Sequence, residues 1–323
     1  MTTTKQWLAQ RTPECIKSAI YRRPIEEIRK VKSLGFDGYF LLDRWAKNME
    51  TAAATLPCVG FAGPALEVWY LTGNKFWYQT VFCAWSLAKH SRRNIALRLV
   101  DDGTLMEWQI INMRKIFSDV IVHTASSCDA TMDKYLPINK FPRLRGLRRV
   151  YPHIRKLTDI HVGSTGRKLV MDSDMLFFGH PTPLLNWLES NEVAGPIYMT
   201  DVLESYGYPR SSLEELVGAK IPQRINVGIC GLLSDHVDWT EIEYWCDELQ
   251  FRFGNSYYLE QALVAMLVAR KTGFQVPEDE YIVLPNFRQV KNKIGILQHY
   301  VAESKKHYFK FGWQGVVDAA ACT

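Results

Sequence analysis

A run of about 18 apolar residues, enough to cross a bilayer, is missing from this sequence. No membrane span is therefore expected, and any membrane contact would be peripheral. The first residues, MTTTKQWLAQRTPE, hold no apolar core of signal-peptide length, so no secretory leader is expected. The seven cysteines (Cys15, Cys58, Cys83, Cys128, Cys230, Cys246 and Cys322) are odd in number and show no C-x-x-C spacing. They read as free thiols in a reducing compartment, which predicts a cytoplasmic protein without a zinc site. A large excess of one charge is also missing. The net charge of +5 argues against a nucleic-acid partner and is compatible with an anionic ligand. Neither G-x-G-x-x-G nor G-x-x-x-x-G-K-[ST] follows the first predicted strand, which argues against a dinucleotide fold or a P-loop.

What is present is a globular composition. Hydrophobic residues make up 47% and charged ones 23% of 323 residues, enough for one large α/β domain. Aromatic residues reach 12%, which suits a packed core and a cleft that stacks on sugar rings. Residues 1–64 read as a helical extension: RRPIEEIRKVKSLG and DGYFLLDRWAKNMETAAATL have helical spacing, and Pro57 and Pro64 mark a linker. From Ala65 the pattern is α/β. ALEVWYLTG, IALRLVDDG and DVIVHT read as strands, separated by the helical stretches FWYQTVFCAWSLAKHS and LMEWQIINMRKIF. Strands spaced by helices imply right-handed crossovers and a mainly parallel sheet, with ligands beyond the carboxyl ends of the strands. Thr72, Gly73, Asp101 and Asp102 stand at such ends. Residues 126–150 read as less regular, and 200–223 as a polar insertion.

The most informative stretch is Arg167 to Pro181, RKLVMDSDMLFFGHP. An apolar strand is interrupted at its end by Asp172, Ser173 and Asp174. Strand alternation would let both carboxylates reach one point. Unpaired buried carboxylates are costly, so they should face something positive. A Mg²⁺ or Mn²⁺ ion on a diphosphate fits oxygen ligands of this kind, while a plain turn after a strand explains the same letters. Upstream, Arg143, Arg145, Arg148, Arg149, Arg155 and Lys156 form a basic stretch. It reads either as a solvated face or as a contact for phosphates, including those of a lipid-linked acceptor.

Several motifs in order now resemble the nucleotide-sugar glycosyltransferases of the GT-A fold, most closely family 8, which includes lipooligosaccharide galactosyltransferases and glycogenin. The resemblance spans about 65–313, leaving 314–323 as a tail. It identifies Asp172 and Asp174 with the D-x-D pair, and Arg155, 17 residues ahead of Asp172, with the donor-contacting arginine. Asn226 and Gly228 match the F-N-x-G strand, Glu260-Gln261 the D-Q helix start, and His299 to Lys305 the H-x-x-G-x-x-K segment. The chain departs from the family at Ala302, where a glycine is usual, at Glu260, where an aspartate is usual, and after Lys305, where Pro-Trp is usual. The resemblance implies a Mn²⁺ (or Mg²⁺) site on Asp172, Asp174 and His299. It implies a donor site on Thr72, Gly73, Asp101, Asp102, Arg155, Asp172, Ser173, Asp174 and Lys305, with Asn226, Glu260 and Gln261 at the reacting sugar.

The implied function is transfer of a sugar from a nucleotide-sugar, a UDP-sugar, to a saccharide, lipid-linked or other hydroxyl acceptor, with retention. An inverting transferase would instead need a carboxylate base, for which Glu204, Glu214, Glu215, Asp235 and Asp238 are available. A sugar-phosphate nucleotidyltransferase would want a Gly-rich, basic loop after the first strand, where LTGNKFW offers only Gly73 and Lys75. A sugar-binding protein that kept the fold without the chemistry is the remaining alternative.

Overall fold

A computed structural model describes residues 40–190 and 195–318. The helical stretch expected at 22–35 and the last five residues lie outside them, as do Cys15 and Cys322. Strands β1 (Leu66–Thr72), β2 (Ile95–Asp101), β3 (Asp119–His123) and β4 (Arg167–Met171) are parallel, in the order β3-β2-β1-β4. The sheet continues through β7 (Ile225–Leu233), β6 (Ile197–Thr200) and the two-residue β8 (Phe274–Gln275). β7 runs antiparallel to both of its neighbours, which leaves β6 parallel to β4. The architecture is thus mixed α/β and mainly parallel, as the alternation of strand and helix implied.

Helix α1 (Trp77–Ser91) shows why the first half reads so clearly. All its residues except Lys89 and His90 are buried, as expected of a helix that is apolar around its whole girth. The helical residues 40–53 cover one side of it. Met49 and Ala53 join the same core, Trp77 Nε1 donates to Glu50 at 3.0 Å and Trp85 Nε1 to the Pro57 carbonyl at 3.1 Å. Met49, Ala53, Leu56 and Val59 therefore pack into the main core.

Three expectations need correction. Residues 126–150 are mostly helical, forming helices at Ala125–Tyr135 and Pro142–Val150. Apolar side chains at 128, 132, 144 and 147 are the buried ones, spaced three or four apart, but interleaved arginines mask that period. The polar insertion also holds a helix, Arg210–Val217, which buries Leu213 and Val217. Finally, Asp172 to Asp174 form the link between β4 and β5 (Met175–Phe177), which belong to different sheets. The two carboxylates meet across a bend rather than along one strand. β5 pairs antiparallel with β10 (Leu297–His299), which pairs parallel with β9 (Tyr281–Val283).

Candidate active site

The register of the small sheet builds the centre of the site. His299 lies opposite Met175, and Tyr300 N–H donates to the Asp174 carbonyl at 2.9 Å. His299 Nε2 thereby stands 3.3 Å from Asp174 Oδ1 and 3.8 Å from Asp172 Oδ2. Asp172 is held from the other side, its N–H donating to the Gly228 carbonyl at 2.8 Å. One ligand atom from each of Asp172, Asp174 and His299 lies within 4.8 Å of the others, so the three can hold a metal ion. The imidazole fits only because residue 228 has no side chain. A Cβ there would stand 2.5 Å from His299 Nδ1 and 2.8 Å from Asn226 Oδ1. Nε2 faces both carboxylates and is the nitrogen offered to a cation, while Nδ1 is buried with no hydrogen-bond partner among the described residues.

Two lysines complete the charge. Lys305 Nζ is 3.0 Å from Asp174 Oδ2, and the Asp174 carboxylate raises the lysine pKa. Burial opposes ionisation of Asp174, but Lys305 and His299 outweigh it and hold the carboxyl well below the usual range. Lys156, on the helix Arg155–His161, reaches Asp172 at 3.0 Å and Glu260 at 3.2 Å. Burial works against its charge; the two carboxylates more than compensate and raise its pKa. Burial pushes Glu260 up to about 7 against the pull of Lys156. Lys156 was legible only as one member of a basic stretch. Its neighbour Arg155 turns to the Asp102 carbonyl at 3.4 Å, and its Nε is buried with no partner among the described residues.

The rest of the donor set divides. Thr72 is joined to Ser173 through Thr80, with both Oγ–Oγ distances 2.8 Å. Gly73 gives Asp102 its space, because a Cβ there would fall 2.1 Å from the Asp102 carboxylate. Asp102 lines a cavity of about 590 Å³ together with Thr72, Lys156, Asp172, Asp174, His299 and Lys305. Asp101 instead folds its own turn, accepting from the N–H groups of Gly103, Thr104 and Leu105 at 2.9 to 3.0 Å. Ala302 lines the cavity with φ +45°, so alanine occupies the left-handed conformation that glycine adopts freely.

A second polar corner lies beyond Gly228. Asn226 Nδ2 donates to Asp201 Oδ2 at 3.2 Å, and Gln261 Nε2 reaches the same oxygen at 3.4 Å and the Ile225 carbonyl at 2.7 Å. Asp201 was missed from the sequence. It directly follows β6, which runs parallel to β4, so the rule that pointed to Asp101 would also have found it.

The fold is the GT-A fold, with Asp172, Asp174 and His299 gathered at the carboxyl edge of its sheet. Solved structures agree. The chain is similar to galactosyltransferase LgtC in complex with donor and acceptor sugar analogues, at 12% identity and a TM-score of 0.52, covering 80% of this chain and 96% of that one. An active-site mutant of LgtC gives 11% and 0.51 over the same shares. Mouse xyloside xylosyltransferase 1, in its apo form, gives 11% and 0.50, covering 73% of this chain and 98% of that one. Neither a protein-family model nor a curated protein matches the chain. At such identities the likeness is one of fold.

Proposed function

We propose that the protein is a metal-dependent glycosyltransferase that moves a sugar from a nucleotide-sugar, a UDP-sugar, to an acceptor hydroxyl with retention. One observation carries the reading: Asp172, Asp174, His299, Lys156 and Lys305 converge on one cavity at the carboxyl edge of the sheet. Asp172, Asp174 and His299 Nε2 would hold Mn²⁺ or Mg²⁺, a mixed oxygen and nitrogen set that suits either ion. The ion supplies positive charge to the diphosphate that departs. Lys305, now on Asp174, is placed to turn to a phosphate oxygen as its charge grows. Lys156 orients Asp172 through their 3.0 Å ion pair. Asp201, Asn226 and Gln261 offer fixed acceptors and donors for sugar hydroxyls, and Thr72, Ser173, Asp102 and Arg155 stand along the nucleoside side.

Retention is favoured because the five carboxylates named as candidate inverting bases are spent elsewhere. Glu204 pairs with Arg210, Glu214 with Lys220 and Glu215 with Arg252. Asp235 accepts from Gly166 N–H, and Asp238 caps the helix that follows it. None of the five lines the cavity. The acceptor proton would then pass to the departing phosphate oxygen, on the face the donor leaves.

Thermal unfolding with a panel of nucleoside diphosphates and nucleotide-sugars, with and without Mn²⁺, tests the reading. A ligand at 100 times its Kd should add about 2.7 kcal/mol. Stabilisation by UDP-sugars that requires Mn²⁺ is expected; no metal-dependent shift with any of them would overturn it. Retention is read separately, from the anomeric proton of the product by NMR.

A further inference from the structure

Both walls of the catalytic cavity continue beyond it. Pro152 and His153 line the cavity and follow Tyr151, which directly follows the helix Pro142–Val150. Tyr257 lines it opposite, four residues after the end of the helix Trp239–Phe253. These two helices enclose a groove of about 850 Å³, lined among others by Arg143, Gly146, Val150, Tyr244, Asp247 and Asn255. The walls are tied at the junction, where Tyr151 Oη donates to the Tyr257 carbonyl at 2.6 Å. The rings of Tyr151 and His153, then His153 and Tyr257, lie 5.5 and 5.1 Å apart, and His153 and Tyr257 also line the cavity.

The lining points to a class of ligand. Arg143 is paired with Asp247 at 3.0 Å, and Glu243 accepts from the N–H groups of Arg143 and Leu144. Arg145 and Arg148 are spent on Asp133, Asp129 and Asp159. The basic stretch is largely neutralised, so the groove has little charge to hold a phosphate chain. It keeps fixed carboxylate and amide groups that accept from or donate to hydroxyls, and it exposes the Tyr244 ring, 53% accessible, and Val150, 79% accessible. Hydroxyls on the edge of a ring and an apolar face on its plane are the two properties of a neutral sugar. A Cβ at Gly146 would meet nothing within 4 Å, so the groove floor there is open.

We infer that this groove binds the distal sugars of a neutral oligosaccharide acceptor whose terminal residue enters the catalytic cavity past Tyr257. The inference rests on the transferase reading for the word acceptor, and on the groove alone for the binding of a neutral glycan. The test is labelled protein on an array of neutral glycans of one to six residues, beside sialylated and phosphorylated ones. Wild type should retain the longer neutral glycans at least tenfold better than monosaccharides. Gly146→Trp, which fills the floor and replaces a helix-weakening glycine, should lose that gain, and Tyr244→Ala, a change at an exposed ring, should reduce it. Equal retention by wild type and Gly146→Trp, preference for the anionic glycans, or no retained neutral glycan would each overturn the inference. The Mn²⁺-dependent thermal shift with nucleotide-sugars is measured on the same wild-type protein. Loss of that shift with glycan binding intact sinks the transferase and leaves the groove; the converse sinks the groove alone.

Discussion

Strands β2 and β4 both run out into a pair of carboxylates at the same edge of one sheet, and the two pairs are used in opposite ways. Asp101 and Asp102 are satisfied within four residues of themselves, by the N–H groups of residues 103 to 105 and the Thr104 hydroxyl. Asp172 and Asp174 are satisfied by Lys156, His299 and Lys305, up to 131 residues away in the sequence. A carboxylate that bonds its own turn stabilises a fold. A pair held by cations and an imidazole from three other elements is a charge balance that a metal and a diphosphate can enter. The contrast also separates structure from function inside one motif type, since Asp102 keeps an edge in the cavity and Asp101 does not.

The contrast can be broken at its strongest point first. Asp174→Asn should lower kcat/KM for sugar transfer by about 10²–10³-fold, the effect of losing one preorganised charge at the transition state, and should abolish the Mn²⁺-dependent thermal shift. An unchanged rate would mean that the two carboxylate pairs do not differ in role. Lys156→Met comes next. It leaves Asp172 and Glu260 without their shared cation, so urea unfolding should show a loss of about 3 kcal/mol along with a loss of activity.

Glu260 adds a pH signature. Its folded pKa of about 7 exceeds the ordinary 4.5, so the folded state holds the proton more tightly. That contribution to stability is present below pH 4.5 and is lost as pH rises toward 7. Glu260→Gln should flatten the fall in melting temperature across that window, while a slope equal to wild type would place the proton elsewhere. A smaller effect is expected at the other strand end. Asp101→Ala should cost about 1 kcal/mol by removing an acceptor for three N–H groups, with the metal dependence of nucleotide binding unchanged. Smallest is Ala302→Gly, which relieves a left-handed alanine and should raise stability by up to about 1 kcal/mol; a loss would show that the strain is absent.

Much of this was legible in the residues. The alternation of apolar strands and helical stretches from 66 to 123 gave the parallel half of the sheet, because strand and helix periods differ. The ordered set Asp172, Asp174, Asn226, Glu260-Gln261, His299 and Lys305 pointed to a resemblance, and the structure brings these residues to two adjoining corners. Arginines spread through 142–150 hid a helix whose buried side is only Leu144, Leu147 and Arg148. The same arginines looked like a basic face because their carboxylate partners lie as far away as Asp247.

By itself, then, the sequence determined the strands and helices from 66 to 123, the sheet edge expected to meet a ligand and the residue types that could meet it there, since all three follow from local pattern. Tertiary structure alone decided which of two neighbours, Arg155 or Lys156, faces Asp172, and that Asp201 gathers Asn226 and Gln261. Side-chain direction and ion pairing depend on which distant elements pack together, and register between β5 and β10, rather than any spacing along the chain, is what carries His299 to Asp174.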